Sequence, residues 1–197
     1  MKTSHEINIK LIQEGNHLEF SRLMDVYTDA LFIFAKGILA NSQLAEEAVS
    51  DVFIKVWESK SKLSEIDDLK SYLYRAVRNQ AVSTLRSKNK DVVSIEDINH
   101  FYFEPIEAPE DALIQEEKLT HIYKAIDYLP AQTKMVFSLA KVQGLKYREI
   151  ADLLDITVKT VDYHVASAVK KICERLEQDK SDDNLQVLKI FLGLIGA

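Results

Sequence analysis

The stretch Lys146 to Ile172, KYREIADLLDITVKTVDYHVASAVKKI, constrains the fold of this chain more than any other. Ile150, Ala151, Leu153 and Leu154 give a short first helix one apolar face. Asp155 and Ile156 make a tight turn, and Thr157 is placed to cap a second helix through its hydroxyl. Val158, Val161, Val165, Ala168 and Ile172 then recur at helical spacing and are expected to point inward. Outward this leaves Lys159, Thr160, Asp162, Tyr163, His164, Ser167 and Lys170, a face rich in the hydrogen-bonding groups that read base edges. The pattern is a helix-turn-helix. Asp155 stands where such turns often carry Gly, and Asp tolerates the left-handed backbone better than most residues. Two amphipathic helices in an ordinary bundle would give a similar outline. The capped turn and the flanking bases Lys141, Lys146, Arg148, Lys170 and Lys171 favour DNA.

A net charge of −6 looks wrong for DNA until it is located along the chain. Nine acidic residues and no Lys or Arg lie between Asp91 and Glu117, so the rest of the chain nets +3. Between Lys70 and Lys90 stand six bases and no acid. Distribution governs nucleic-acid contact more than the total does. The acidic stretch contains Pro105 and Pro109 and shows no sustained helical period, so 88–118 reads as a linker between two helical domains. Phe101, Tyr102 and Phe103 are unusual in a passive linker, so part of it is expected to dock.

The amino-terminal domain, 1–87, reads as helical throughout. Leu18, Phe20, Leu23, Met24 and Tyr27 mark one helix, and Leu31, Phe32, Ala35, Ile38 and Leu39 the next. LAEEAVSDVFIKVWES carries Leu44, Ala45, Ala48, Val49, Val52, Phe53, Val56 and Trp57 on one face, with Trp57 read as core. Glu46, Glu47, Ser50, Asp51, Lys55 and Glu58 occupy the other face. The following helix, SYLYRAVRNQAVSTLRS, turns Leu73, Ala76, Val77, Ala81 and Leu85 inward. Outward, with Lys70 just before it, it offers Tyr72, Arg75, Arg78 and Asn79. Cations that track phosphates beside an aromatic platform suit an unpaired strand.

No catalytic constellation is present in the sequence. The five histidines, His5, His17, His100, His121 and His164, lack metal-ligand spacing with one another or with Cys173. The glycines are scattered, and no nucleophile has an activating motif around it. The chain is therefore expected to be no enzyme and to use no cofactor or small-molecule substrate. The lone cysteine excludes an internal disulfide, and packing is its expected task. The start, MKTSHEINIK, has no signal-peptide core, and the apolar 185–197 run is too short to span a bilayer, so a cytoplasmic protein is expected. That run belongs to a tail, 179–197, which could dock on the preceding domain (119–178) or on a partner.

With AEEAVSDVFIKVW, LKSYLYRAVRNQAVSTLR and LPAQTKMVFSLAKVQGLKYREIADLLDITVKTVDYHV in that order, the chain resembles the extracytoplasmic-function (ECF) group of sigma-70-type RNA polymerase sigma factors. VDYHV and the apolar tail resemble members from Bacteroidetes-type bacteria. The resemblance implies an all-α protein of two domains, sigma regions 2 and 4, joined without a middle domain. It implies that Glu47, Ser50 and Asp51 dock on the clamp helices of the largest polymerase subunit, with Ser50 standing where many members have Gln. Lys70, Tyr72, Arg75, Arg78 and Asn79, with the preceding segment from Lys62 to Leu69, would hold the melted −10 strand. Lys159, Thr160, Tyr163, His164 and Ser167 would read the −35 duplex, while Arg148 and Lys170 contact phosphate. Leu129-Pro130 would start the preceding helix, with Pro130 at its first position. Implied partners are core polymerase, including the flap of the second-largest subunit, promoter DNA and an anti-sigma factor that can be membrane-anchored. Two other readings compete: a free-standing regulator with an amino-terminal sensor domain, and a sigma mimic that sequesters a partner.

Overall fold

The computed structural model describes residues 7–88, 100–103 and 113–178. The regular elements among them are all helices, with no strand among the described residues, and the chain divides into two units, Met1–Asp97 and Ile98–Ala197. The carboxylates of the acidic stretch and the tail 179–197 lie outside the described residues or side chains.

The first unit runs α1 (Ile9–Gln13), α2 (His17–Leu39), α3 (Ser42–Glu58), a 3₁₀ segment (Lys60–Glu65) and α4 (Leu69–Lys88). Asparagine caps each of the first three helices. Asn8 Oδ1 accepts from the Lys10 and Leu11 amides, Asn16 Oδ1 from Glu19 and Asn41 Oδ1 from Leu44. The two helices expected before Ala40 are one helix of 23 residues. Within it Thr28 is partly buried and Asp29 exposed, and the polar pair does not break the helix. α2 ends at Ala40, which adopts the left-handed conformation at φ 51°.

α2, α3 and α4 pack on one another around Leu23, Leu31, Phe34, Ile38, Val52, Phe53, Val56, Leu73, Tyr74 and Val77, all buried. Tyr74, which the sequence reading left out of the core, is fully enclosed with its ring 5.3 Å from that of Phe34. Burial, and then the nearby Tyr27, push its phenol well above the ordinary range. Trp57 is only half-buried, a correction to its place in the core. It lies at the rim against Phe20 (4.9 Å), His17 (4.6 Å) and the Lys60 ammonium (4.5 Å).

The second unit runs α5 (Leu113–Asp127), α6 (Ala131–Phe137), a wider π-helical turn (Ser138–Val142), α7 (Tyr147–Leu154) and α8 (Val158–Gln178). α5 begins inside the stretch read as linker. Pro130 is the cap residue before α6 rather than its first helical position. Phe101 and Phe103 are both buried. Phe103 closes a core with Ile122, Ile126, Leu129, Phe137, Ala168, Ile172 and Leu176, so the aromatic cluster in the linker does dock. Cys173 packs at the edge of this core, where burial and then Glu177 push its thiol up. No helix among the described residues is long and apolar enough to cross a membrane.

Candidate nucleic-acid interface

The turn between α7 and α8 is built from local chemistry. Glu149 accepts from the Lys146 amide at 2.9 Å and holds the start of α7. At its end Asp155 is left-handed, φ 57° and ψ 43°, and the Ile156 amide donates back to the Ala151 carbonyl at 3.0 Å. Thr157 then caps α8, accepting from the Thr160 amide at 3.1 Å with the two hydroxyls 2.8 Å apart. α7 packs on α8, and Ile150, Ala151, Leu153 and Leu154 are buried, as are Val161, Val165, Ala168 and Ile172. Val158 is the exception: 48 % exposed, it belongs to the outer surface. It keeps the helical spacing but opens α8, where the inner stripe runs past its cover.

On the outer side of α8, Lys159, Asp162, Tyr163 and Lys170 are exposed, and Tyr163 is 68 % accessible. Arg148 on α7 is exposed as well. Lys170 makes a loose pair with Glu174 at 3.8 Å, too weak in water to hold it from a phosphate. Thr160 and Ser167 are partly buried, and the Thr160 hydroxyl is engaged at the cap. His164, expected to face outward, is also partly buried. Its Nδ1 lies 3.0 Å from Thr133 Oγ1 on α6. Burial, and then Lys171, hold the imidazole pKa below 6.5, favouring the neutral ring. Thr133 had no signal in the sequence, because the contact joins residues 31 positions apart.

On α4, Arg75 and Asn79 are exposed, whereas Lys70, Tyr72 and Arg78 are partly buried rather than fully outward. Lys70 and Arg78 stand one helical turn either side of enclosed Tyr74, so they flank the buried stripe. Asp68 caps the helix, accepting from the Ser71 amide at 3.3 Å and the Ser71 hydroxyl at 2.5 Å. In the preceding segment Leu63 is buried, and Gln13 donates to Ser61 O (2.8 Å) and Ser64 Oγ (2.9 Å).

Glu47, Ser50 and Asp51 are exposed on α3, joined by Ile54 at 57 %. Asp51 and Lys55 have the helical spacing of an ion pair. Instead the Gln80 amide on α4 stands between them. It donates from Nε2 to Asp51 Oδ2 at 2.8 Å and accepts from Lys55 Nζ at 2.7 Å. Nothing in the sequence pointed to Gln80.

Comparison with known proteins agrees with this layout. The family model described as Sigma-70 region 2 matches residues 23–91, and that described as Sigma-70, region 4 matches 120–172. The chain is 26 % identical over 161 residues to the ECF RNA polymerase sigma factor SigW of Bacillus subtilis, covering 78 % of this chain and 86 % of that one. To the ECF RNA polymerase sigma-E factor of Escherichia coli it is 24 % identical over 180 residues, covering 87 % and 94 %. Its fold is similar to that of the sigma factor RpoE from Bartonella quintana, solved with the anti-sigma factor NepR (TM-score 0.58, 22 % identity, 82 % and 99 % covered). It is equally similar to CnrH, solved with the cytosolic domain of CnrY (TM-score 0.58, 17 % identity, 87 % and 96 % covered). It is not an enzyme. With both sigma regions in order and ECF factors matching along most of its length, the chain belongs to the ECF group of the sigma-70 family and directs promoter-specific transcription initiation.

Proposed function

We propose a division of labour among three surfaces. α8 reads the −35 duplex through Lys159, Thr160, Tyr163, His164 and Ser167, while Arg148 and Lys170 fix register on phosphate. Lys70, Tyr72, Arg75, Arg78 and Asn79, with the segment 62–69, hold the unpaired −10 strand. Glu47, Ser50 and Asp51 dock on the polymerase clamp helices, and the flap of the second-largest subunit meets the second unit. The observation that carries this reading is the exposed face of α8 set on a buried, capped helix-turn-helix.

The connector 88–118 joins domains 1–87 and 119–178, with Phe101 and Phe103 serving the second of them, and 179–197 forms a tail. An anti-sigma partner, membrane-anchored or free, fits the neighbours solved with NepR and CnrY. VDYHV supports a Bacteroidetes-type member acting in the cytoplasm.

Reconstitution with core polymerase tests the scheme. Wild-type chain should give promoter-specific transcripts. Lys159→Ala should lose −35 dependence, and Asn79→Ala should lose open complexes on double-stranded templates. A variant set that alters neither step would remove the assignment.

A further inference from the structure

Thr133 is 5 % exposed, and among the described residues its hydroxyl pairs with His164 Nδ1. A buried hydroxyl has to place its proton. If Nδ1 carried the hydrogen and donated to Oγ1, the Thr133 proton would be stranded without an acceptor. That arrangement is disfavoured by about tenfold or more. The neutral ring therefore accepts from Thr133 at Nδ1 and carries its own hydrogen on Nε2. Among the described residues Nε2 has no hydrogen-bond partner and is not fully enclosed, so this N–H can meet a ligand.

We infer that Thr133 fixes the tautomer of His164 so that α8 presents an N–H donor at Nε2, making the pair specificity-determining for a base with a major-groove acceptor. Purine N7, guanine O6 and thymine O4 are such acceptors. Cytosine offers its N4 amino donor instead and is rejected at the base His164 faces. The inference rests on the reading of α8 as the −35 helix. Thr133 is a positioning residue, and His164 makes the contact.

The test uses holoenzyme reconstituted from full-length chain and core polymerase, offered a randomised −35 duplex library upstream of a fixed premelted −10 segment. Bound sequences are compared for wild type, His164→Ala, Thr133→Val, Thr133→Ser, Lys159→Ala and Tyr163→Ala. Wild type should exclude cytosine at one position, and His164→Ala should erase that preference alone. Thr133→Val should weaken it by about fivefold while preferences elsewhere stand, and Thr133→Ser should retain it. Cytosine preferred at that position, or Thr133→Val weakening every sequence equally, overturns the tautomer assignment. Should Lys159→Ala and Tyr163→Ala shift the profile while His164→Ala leaves it intact, the inference alone falls. A profile untouched by any α8 variant overturns the reading of α8 together with it.

Discussion

α4 and α8 each carry bases beside tyrosine, yet they are built in opposite ways. α8 stands its Lys159, Asp162 and Tyr163 clear of the protein, over an inner stripe that is fully apolar. α4 sinks Lys70, Tyr72 and Arg78 part-way in and leaves Arg75 and Asn79 proud. A side chain that reads stacked pairs has to reach into a groove about 8.5 Å deep, whereas a separated strand needs a fixed platform. On the proposed roles, the difference makes function and stability separable at Lys159 and Tyr163 of α8 and entangled at Lys70, Tyr72 and Arg78 of α4.

The largest expected effect sharpens this by removing the floor under α8. Phe103→Ala should destabilise the second unit by about 3–4 kcal/mol, because it opens a cavity in a closed core. Calorimetry should show one transition moving and the other staying. A single unchanged transition would mean that Phe103 is not part of that core.

The comparison itself is at stake in a second pair. Arg78→Ala should cost about 1–2 kcal/mol of stability besides harming open complexes, through loss of its packed stem. Tyr163→Ala should stay within about 0.5 kcal/mol of wild type while weakening −35 binding. Equal melting shifts would break the distinction.

Trp57→Ala should cost about 1–2 kcal/mol, less than a fully buried tryptophan, since the side chain is only half-buried. Asp51→Ala should melt like wild type and bind core polymerase less well in a pull-down.

Acid should separate the units again. A His whose folded pKa lies below 6.5 gives stability that is fully present above pH 6.5 and is lost as pH falls through the depressed folded value. His164→Gln should flatten that part of the acid limb for the second unit, measured by urea melts from pH 7.5 to 5. An unchanged slope would remove the group from the linkage.

Smallest of all, Ala40→Gly should stabilise the first unit by about 0.5–1 kcal/mol, since Gly accepts a left-handed backbone that Ala resists. Asp155→Gly should gain less, because Asp already tolerates it. Matching gains would show that side-chain chemistry is irrelevant at these turns.

Those two turns also mark how far the sequence was legible. Asp155 and Thr157 announce their roles through local chemistry, so the helix-turn-helix could be placed to the residue. Ala40 announces nothing, and the long helix ending there was read as two. Periodicity placed Val161 and Val165 correctly and failed at Val158, because spacing does not say where a neighbouring helix stops. Among the candidate contacts, Lys159, Tyr163 and Asn79 are as exposed as read, while Arg78 and His164 are partly buried, Arg78 beside the buried stripe of its own helix and His164 against Thr133 on another. Gln80 and Thr133 were invisible for the same reason: their partners come from other helices.

The Gln80 amide between Asp51 and Lys55 carries a further consequence, in the rate at which complexes come apart. A surface carboxylate ordinarily samples several rotamers, and freezing it against a partner costs on the order of 0.5–1.5 kcal/mol. Here the amide has settled Asp51 before any partner arrives. A protein that docks on α3 therefore meets a charge already aimed, and most of the resulting gain should appear as a longer residence time.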